Sequence, residues 1–328
     1  MKALITGGAG FIGSHLAERL LEAGDEVFVL DDLSTGSLGN VEQIRQHPSF
    51  HLVVDSVLQP AIVNELVHKA DVVYHLAAAV GVKTIVEHPV RTLRVNLGGT
   101  ETVLDACCKF AKPVLVASTS EVYGDHRSEV PLSESSRRIY GATTQRRWAY
   151  ADSKAMDEFL ALAYHEEHGL DTVIVRLFNT VGPRQTGMYG MVIPRFVDRA
   201  LEDETIEIYG DGRQTRCFCH VEDTIRALTD LMADLDQTTG GIFNVGADNQ
   251  IAIVDLADTI KEMTGSESPT VHVPFDEVYG TGIEDMLHRV PCVDKVRETI
   301  GWVPTRSLDD ILCDVIASQR SRGHLAAA

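Results

Sequence analysis

A doubly wound parallel α/β sheet is predicted by three observations. Apolar, strand-like runs alternate with helix-period patterns through residues 2–178, a glycine-rich turn joins the first strand to the first helix, and an acidic residue ends the second strand. Strands that alternate with helices pair in parallel and are covered on both faces. The expected fold class is therefore α/β: a Rossmann-type doubly wound parallel sheet with a smaller C-terminal α/β domain.

The first strand, residues 2–6, runs into Thr6-Gly7-Gly8-Ala9-Gly10-Phe11-Ile12-Gly13. Gly7 allows a tight turn, Gly10 lets backbone approach a phosphate, and Gly13 lets the helix pack against the strand. N–H groups at the helix start then face the phosphate charge. The spacing is GxxGxxG rather than GxGxxG. The helix over 11–23 places Ile12, Leu16 and Leu20 at helical spacing and stops at Gly24. The second strand, 27–31, ends at Asp31, where an acid meets the ribose hydroxyls of a bound adenosine. No Arg or Lys follows until Arg45, and Asp31 and Asp32 would repel a 2′-phosphate. The pattern thus predicts NAD rather than NADP.

Further strands are predicted over 50–54, 72–76, 114–118 and 172–178, and helices over 40–46, 60–69, 91–110 and 150–168. Beyond Phe178 the glycines at 182, 187, 190, 210 and 212 punctuate shorter elements. An apolar run over 242–245 is expected to rejoin the sheet. The chain therefore divides into residues 1–178, an NAD-binding Rossmann domain rejoined by about 218–247, and residues 179–328, an interleaved substrate domain.

Hydrophobic residues make up 44% of the chain, ample for a core, and the formal net charge is −19. That charge argues against nucleic-acid binding and against an anionic membrane surface. The opening residues are already a strand, too short for a signal-peptide core, and no stretch is long and apolar enough to span a membrane. The spacing of Cys107, Cys108, Cys217, Cys219, Cys292 and Cys313 fits neither a disulfide framework nor a zinc site. A cytoplasmic enzyme with buried thiols and no metal is expected.

Tyr150-Ala-Asp-Ser-Lys154 puts a phenol and an ammonium on one helix face. Lys154, with a positive nicotinamide ring, would stabilise tyrosinate and make Tyr150 a base near neutral pH. Thr119 ends the strand over 114–118, where its hydroxyl opens onto the same crevice and can bond the reacting alcohol.

Together these segments resemble the extended short-chain dehydrogenase/reductases that act on sugar nucleotides. The resemblance covers essentially the whole chain. It is carried by TGGAGFIG at 6–13, Asp31, Tyr74-His75-Leu76-Ala77-Ala78, Asn96 with Gly99-Thr100, STSEVYG at 118–124, YADSK at 150–154 and RLFNTVGPR at 176–184. It implies that Gly7, Gly10, Phe11, Ile12, Gly13, Asp31, Leu76, Ala77 and Asn96 hold NAD, with Asp55 beside adenine and Lys154 on the nicotinamide ribose. It implies that Thr119, Tyr150 and Lys154 are catalytic, that Asn179 and Arg216 meet the substrate diphosphate, and that Arg289 closes over the nucleotide. Guanidinium forks suit diphosphate oxygens. It also implies a homodimer formed by the helices over 91–110 and 150–168.

The implied reaction oxidises a UDP-sugar at C4 to a transient 4-keto intermediate. Return of hydride to the other face is 4-epimerisation, of UDP-glucose or UDP-glucuronate. With a carboxylate on C5 the ketone instead allows carbon dioxide to leave, giving UDP-xylose or UDP-4-keto-pentose. Glu121, an acid before Val-Tyr-Gly, and the segments 146–150 and 214–218 look like uronate decarboxylases. The stretch 176–191 looks like bacterial 4-epimerases, some of which also carry that Glu. Arg184 would serve a C5 carboxylate, a diphosphate or the dimer surface. The sequence favours the 4-epimerase slightly over the decarboxylase. A 4,6-dehydratase, or an NAD-sensing protein without catalysis, ranks lower.

Overall fold

The computed structural model describes residues 1–81, 85, 87–126, 130–145, 147–187, 191–274, 277–278 and 289–326. Arg146, of the 146–150 segment, lies outside the described residues.

The first half alternates as β1 (Lys2–Thr6), α1 (Phe11–Glu22), β2 (Glu26–Asp31), β3 (Phe50–Val54), α2 (Pro60–Lys69) and β4 (Val72–His75). It continues with α3 (Pro89–Leu93), α4 (Gly99–Phe110), β5 (Val114–Thr119), α5 (Arg147–His168) and β6 (Thr172–Leu177). The second half holds β7 (Thr180–Val181), α6 (Val192–Leu201), β8 (Ile206–Tyr209), β9 (Thr215–Cys217), β10 (Cys219–His220), α7 (Val221–Ala233) and α8 (Leu235–Thr238). After these come β11 (Gly241–Val245), β12 (Gln250–Ala252), α9 (Ile253–Thr264), β13 (Thr270–Val273), α10 (Asp294–Ile300) and α11 (Leu308–Ala326).

Seven strands form one sheet in the order β11-β6-β5-β4-β1-β2-β3, and every pair in it is parallel. The order reverses between β1 and β4, the switch point at which such sheets open a crevice beyond their carboxyl ends. Successive strand residues face opposite sides, so Ala3 and Ile5 join one apolar layer with Leu16, Leu20, Val29 and Leu228. Leu4 joins the other, with Val63, Leu66, Val103 and Ile174. A third core gathers Ile193, Phe196, Ile208, Phe218, Leu256, Leu312 and Val315. The strand after Gly240 does return to the sheet, with Gly241–Val245 in register with residues 173–177 of β6. The chain returns once more at Val296 and Trp302, which are buried in the first layer.

Two expected helices differ. Instead of a helix over 40–46 there is a single 3-10 turn, Leu38–Asn40, capped by the Ser37 hydroxyl. Asn40 turns its side chain back to the Ala9 carbonyl at 3.0 Å, which suits a loop folded over the glycine turn. The predicted helix over 91–110 is broken into α3, a π-helical stretch Arg94–Gly98, and α4. The wide turn aims Asn96 inward, and Gly98-Gly99 offers little helix propensity to oppose it. Among the described residues, no helix is long and apolar enough to cross a membrane.

Candidate active site

At the carboxyl ends of the strands lies a cavity of about 1000 Å³. Its cofactor end is shaped by glycine. Gly7 has φ +74°, and a Cβ there would lie 2.8 Å from the Ala77 backbone nitrogen. A Cβ on Gly13 would meet the Gly7 carbonyl at 2.3 Å, so α1 starts this close to β1 only with glycine there. The first turn of α1 carries no acidic residue, which leaves its N–H groups and dipole available to an anion. Asp31 accepts N–H groups from Ala9 at 2.9 Å and Leu33 at 2.8 Å, and burial pushes its carboxyl up. Phe11, Ile12, Asp55, Leu76 and Ala77 line the same cavity. An open glycine turn under a helix N-terminus, with a fixed carboxylate at the far end, fits a dinucleotide.

Asn96 does not line the cavity; it supports it. Its carbonyl oxygen accepts the Ala79 N–H at 2.8 Å, and its amide donates to Ser153 Oγ at 3.1 Å. That ties the loop after β4 to the catalytic helix. Arg91 also lines the cavity and approaches Asp32 at 3.6 Å. The sequence reading saw no cation before Arg45; this one arrives from α3 through the fold.

Thr119 closes β5 and accepts the Glu121 N–H on its hydroxyl, so the chain turns sharply there. The Tyr150 phenol, from α5, faces the Thr119 hydroxyl. Sequence reasoning expected Lys154, together with a positive nicotinamide ring, to lower the phenol's pKa. The protein's own groups act the other way: burial first, then the Glu121 and Asp157 carboxylates, hold Tyr150 above its ordinary value. Lys154 is engaged elsewhere, with its ammonium 2.6 Å from Asp157 Oδ2.

Arg289 lines the cavity beside Tyr150, pairing with Glu121 at 3.3 Å and donating to Asn179 Oδ1 at 2.9 Å. Its positive charge faces Tyr150 and opposes the carboxylates there. Asn179, at φ +31°, donates its amide to the Cys217 carbonyl at 2.9 Å. A non-glycine residue at positive φ is strained, and such strain concentrates at functional sites. Arg184 lines the cavity but is held on the cofactor side, by two 2.7 Å contacts to Glu18 and one of 3.2 Å to Ser14 Oγ.

The far end is walled by Tyr209, Gln214, Arg216, Phe218 and Ile253. Arg216, opposite Ile251 on the β9–β12 ribbon, donates to the Thr215 carbonyl at 2.8 Å. Arg195 lies 4.0 Å from the centre of the Tyr209 ring, a cation–π contact at the same end. Sequence reasoning missed this pair, since α6 and β8 meet only in the fold. Cys217 and Cys219 are buried thiols pushed up by desolvation. Among the described residues, no cluster of three or more His, Cys, Asp or Glu could hold a metal ion.

The family model for GDP-mannose 4,6 dehydratase matches residues 4–315. The chain is 42% identical over 317 residues to a UDP-N-acetyl-alpha-D-glucosaminuronate decarboxylase of Bacillus cytotoxicus, covering 96% of both chains. It is 36% identical over 308 residues to UDP-glucuronic acid decarboxylase 6 of Arabidopsis thaliana, covering 93% of this chain and 84% of that one. Among solved structures, it superposes with TM-score 0.88 and 28% identity on a UDP-glucuronic acid 4-epimerase from Bacillus cereus in complex with UDP-glucuronic acid and NAD. That match covers 98% of this chain and all of the other. With the glycine turn, the Thr119–Tyr150–Lys154 constellation and this extent of likeness in view, the chain belongs to the extended short-chain dehydrogenase/reductases, in the sugar-nucleotide branch that the GDP-mannose 4,6 dehydratase model describes.

Proposed function

We propose that this enzyme decarboxylates a UDP-linked hexuronate, either UDP-glucuronate or its 2-acetamido analogue, with a resident NAD. The observation that carries the reading is the Glu121–Arg289 pair beside Tyr150. A substrate carboxylate at C5 needs a counter-charge at the reacting end, and Arg289 is the guanidinium that stands there. The decarboxylase relatives support the same choice, and they move it above the 4-epimerase that the sequence put first.

Bound NAD would accept the C4 hydride and later return it. Tyr150 takes the C4 hydroxyl proton, and Thr119 orients that hydroxyl. With C4 a ketone, the C5–C6 bond breaks and carbon dioxide leaves. The electron pair is delocalised as an enolate whose oxygen faces the Tyr150 and Thr119 hydroxyls. C5 then takes a proton drawn from solvent, and Glu121, the carboxylate at this end of the cavity, is placed to relay it. Tyr150 returns its proton as C4 is reduced, so one proton is consumed per carbon dioxide released. Arg216, with Tyr209 and Arg195, would hold the nucleotide end.

Proton NMR of the purified enzyme with each UDP-hexuronate is the test. A UDP-pentose or UDP-4-keto-pentose with carbon dioxide release is expected. A C4-inverted sugar that keeps its carboxylate would establish the epimerase instead, the reading that the UDP-glucuronic acid 4-epimerase likeness supports.

We also infer a homodimer through α4 and α5. Met156 and Phe159 on α5 are 48% and 56% exposed, large apolar side chains left in water on one helix face. Light scattering is expected to give twice the chain mass; a single-chain mass would refute it.

A further inference from the structure

Asp157 is a buried acid that the proposed reaction does not use. It lies one helical turn beyond Lys154 and two beyond Tyr150, so the three share a side of α5. Its side chain is 0% exposed and that of Lys154 3%, with Oδ2 2.6 Å from Nζ. The other oxygen, Oδ1, is buried and has no hydrogen-bond partner among the described residues. The Thr100 hydroxyl faces this carboxylate and lies 3.1 Å from His75 Nε2. His75 Nδ1 in turn lies 2.7 Å from Thr6 Oγ1, just before the glycine turn. Burial holds His75 neutral, its pKa lowered to about 3.

A buried carboxylate is costly, and an apolar side chain of similar size would pack α5 as well or better. Its presence beside the lysine of the catalytic constellation therefore points to charge rather than packing. We propose that Asp157 is a positioning residue for Lys154: it fixes the ammonium and offsets its charge, so that Tyr150 meets an ion pair rather than a bare cation. The other charged groups around the phenol are Glu121, from the turn after β5, and Arg289, from the segment before α10. His75, from β4, faces Lys154 without charge. Glu158, on α5, faces Asp157 and is itself held by Arg176 of β6. Among these groups, Asp157 alone bonds the ammonium directly.

The inference rests on Tyr150 being the base of the proposed reaction. Asp157→Asn keeps the size of the side chain and removes its charge. Ultraviolet titration of tyrosinate, with the Tyr150 signal isolated by subtracting Tyr150→Phe, is expected to show a midpoint lowered by on the order of one pH unit. The acid limb of the pH–rate profile is expected to move the same way. An unmoved midpoint would overturn the proposal and leave Asp157 a packing residue. The double variant Lys154→Met/Asp157→Asn removes both charges, a change that buried pairs tolerate better than loss of one partner. Its midpoint is expected to match the parent, and a displaced midpoint would count against charge offset even where the single variant does not fold. Because the titration needs no sugar nucleotide, a wrong substrate assignment leaves it unaffected.

Discussion

Tyr150→Phe is expected to cut turnover by a factor on the order of 10²–10⁴ while the purified protein keeps its full complement of bound NAD. The substitution removes one oxygen. That oxygen faces Thr119 at the end of β5, with Glu121 and Arg289. The cofactor cradle is built elsewhere, from the turn at Gly7–Gly13 and from Asp31. Proton transfer and cofactor binding should therefore separate cleanly. Initial rates with a UDP-hexuronate, alongside NAD released on denaturation, make the check. A variant that turns over like the parent would remove Tyr150 from the chemistry; one that loses NAD would show that the phenol also shapes the cradle.

Glu158→Ala should be the most destabilising single change near the site, lowering the unfolding free energy by about 3–5 kcal/mol. Glu158 accepts from Arg176 Nε at 2.9 Å and Nη2 at 2.7 Å, and from Ser118 Oγ. The two side chains are 6% and 7% exposed. Truncation leaves a buried guanidinium without its carboxylate and a buried hydroxyl without its acceptor. Arg176 also lies over the Tyr123 ring at 4.7 Å, and Tyr123 donates to Asn244 at 2.6 Å. The loss therefore propagates across β5, β6 and β11. The double variant Glu158→Leu/Arg176→Met should recover much of it, because replacing both ions avoids the unpaired charge. Urea unfolding of the three proteins decides the matter. A loss below about 1 kcal/mol in Glu158→Ala would mean that water reaches the guanidinium.

Where the physics is local, the sequence was legible. The need for glycine at Gly10 and Gly13 follows from their approach to the Gly7 carbonyl, a few positions away, and α1 from a simple apolar period. The placement of Thr119 and Tyr150 in one cavity follows from strand ends and the parallel sheet. The break in the helix over 91–110 was not legible, because the π-helical turn depends on partners at Ala79 and Ser153. Nor was the place of Arg289, whose contacts with Glu121 and Asn179 span more than a hundred residues of chain. The push of the protein's own groups on Tyr150 was not legible either: burial, first, and then Glu121 act on the phenol only in the fold, and Asp157, one turn beyond Lys154, pairs with its ammonium.

The late return of Gly241–Val245 to β6 bears on how the chain is made. β6 is complete at Leu177, yet the strand that covers it is read out only after the whole of α6 and α7. On a ribosome, the nascent sheet must wait through seconds of synthesis with Thr172–Leu177 as a bare edge. Five of its six residues are buried once folding ends. Such an edge is a template for stray strand pairing. The first half therefore cannot mature as a finished unit during translation, and the cavity gains Ile253 and Arg289, the last described residues to line it, later still.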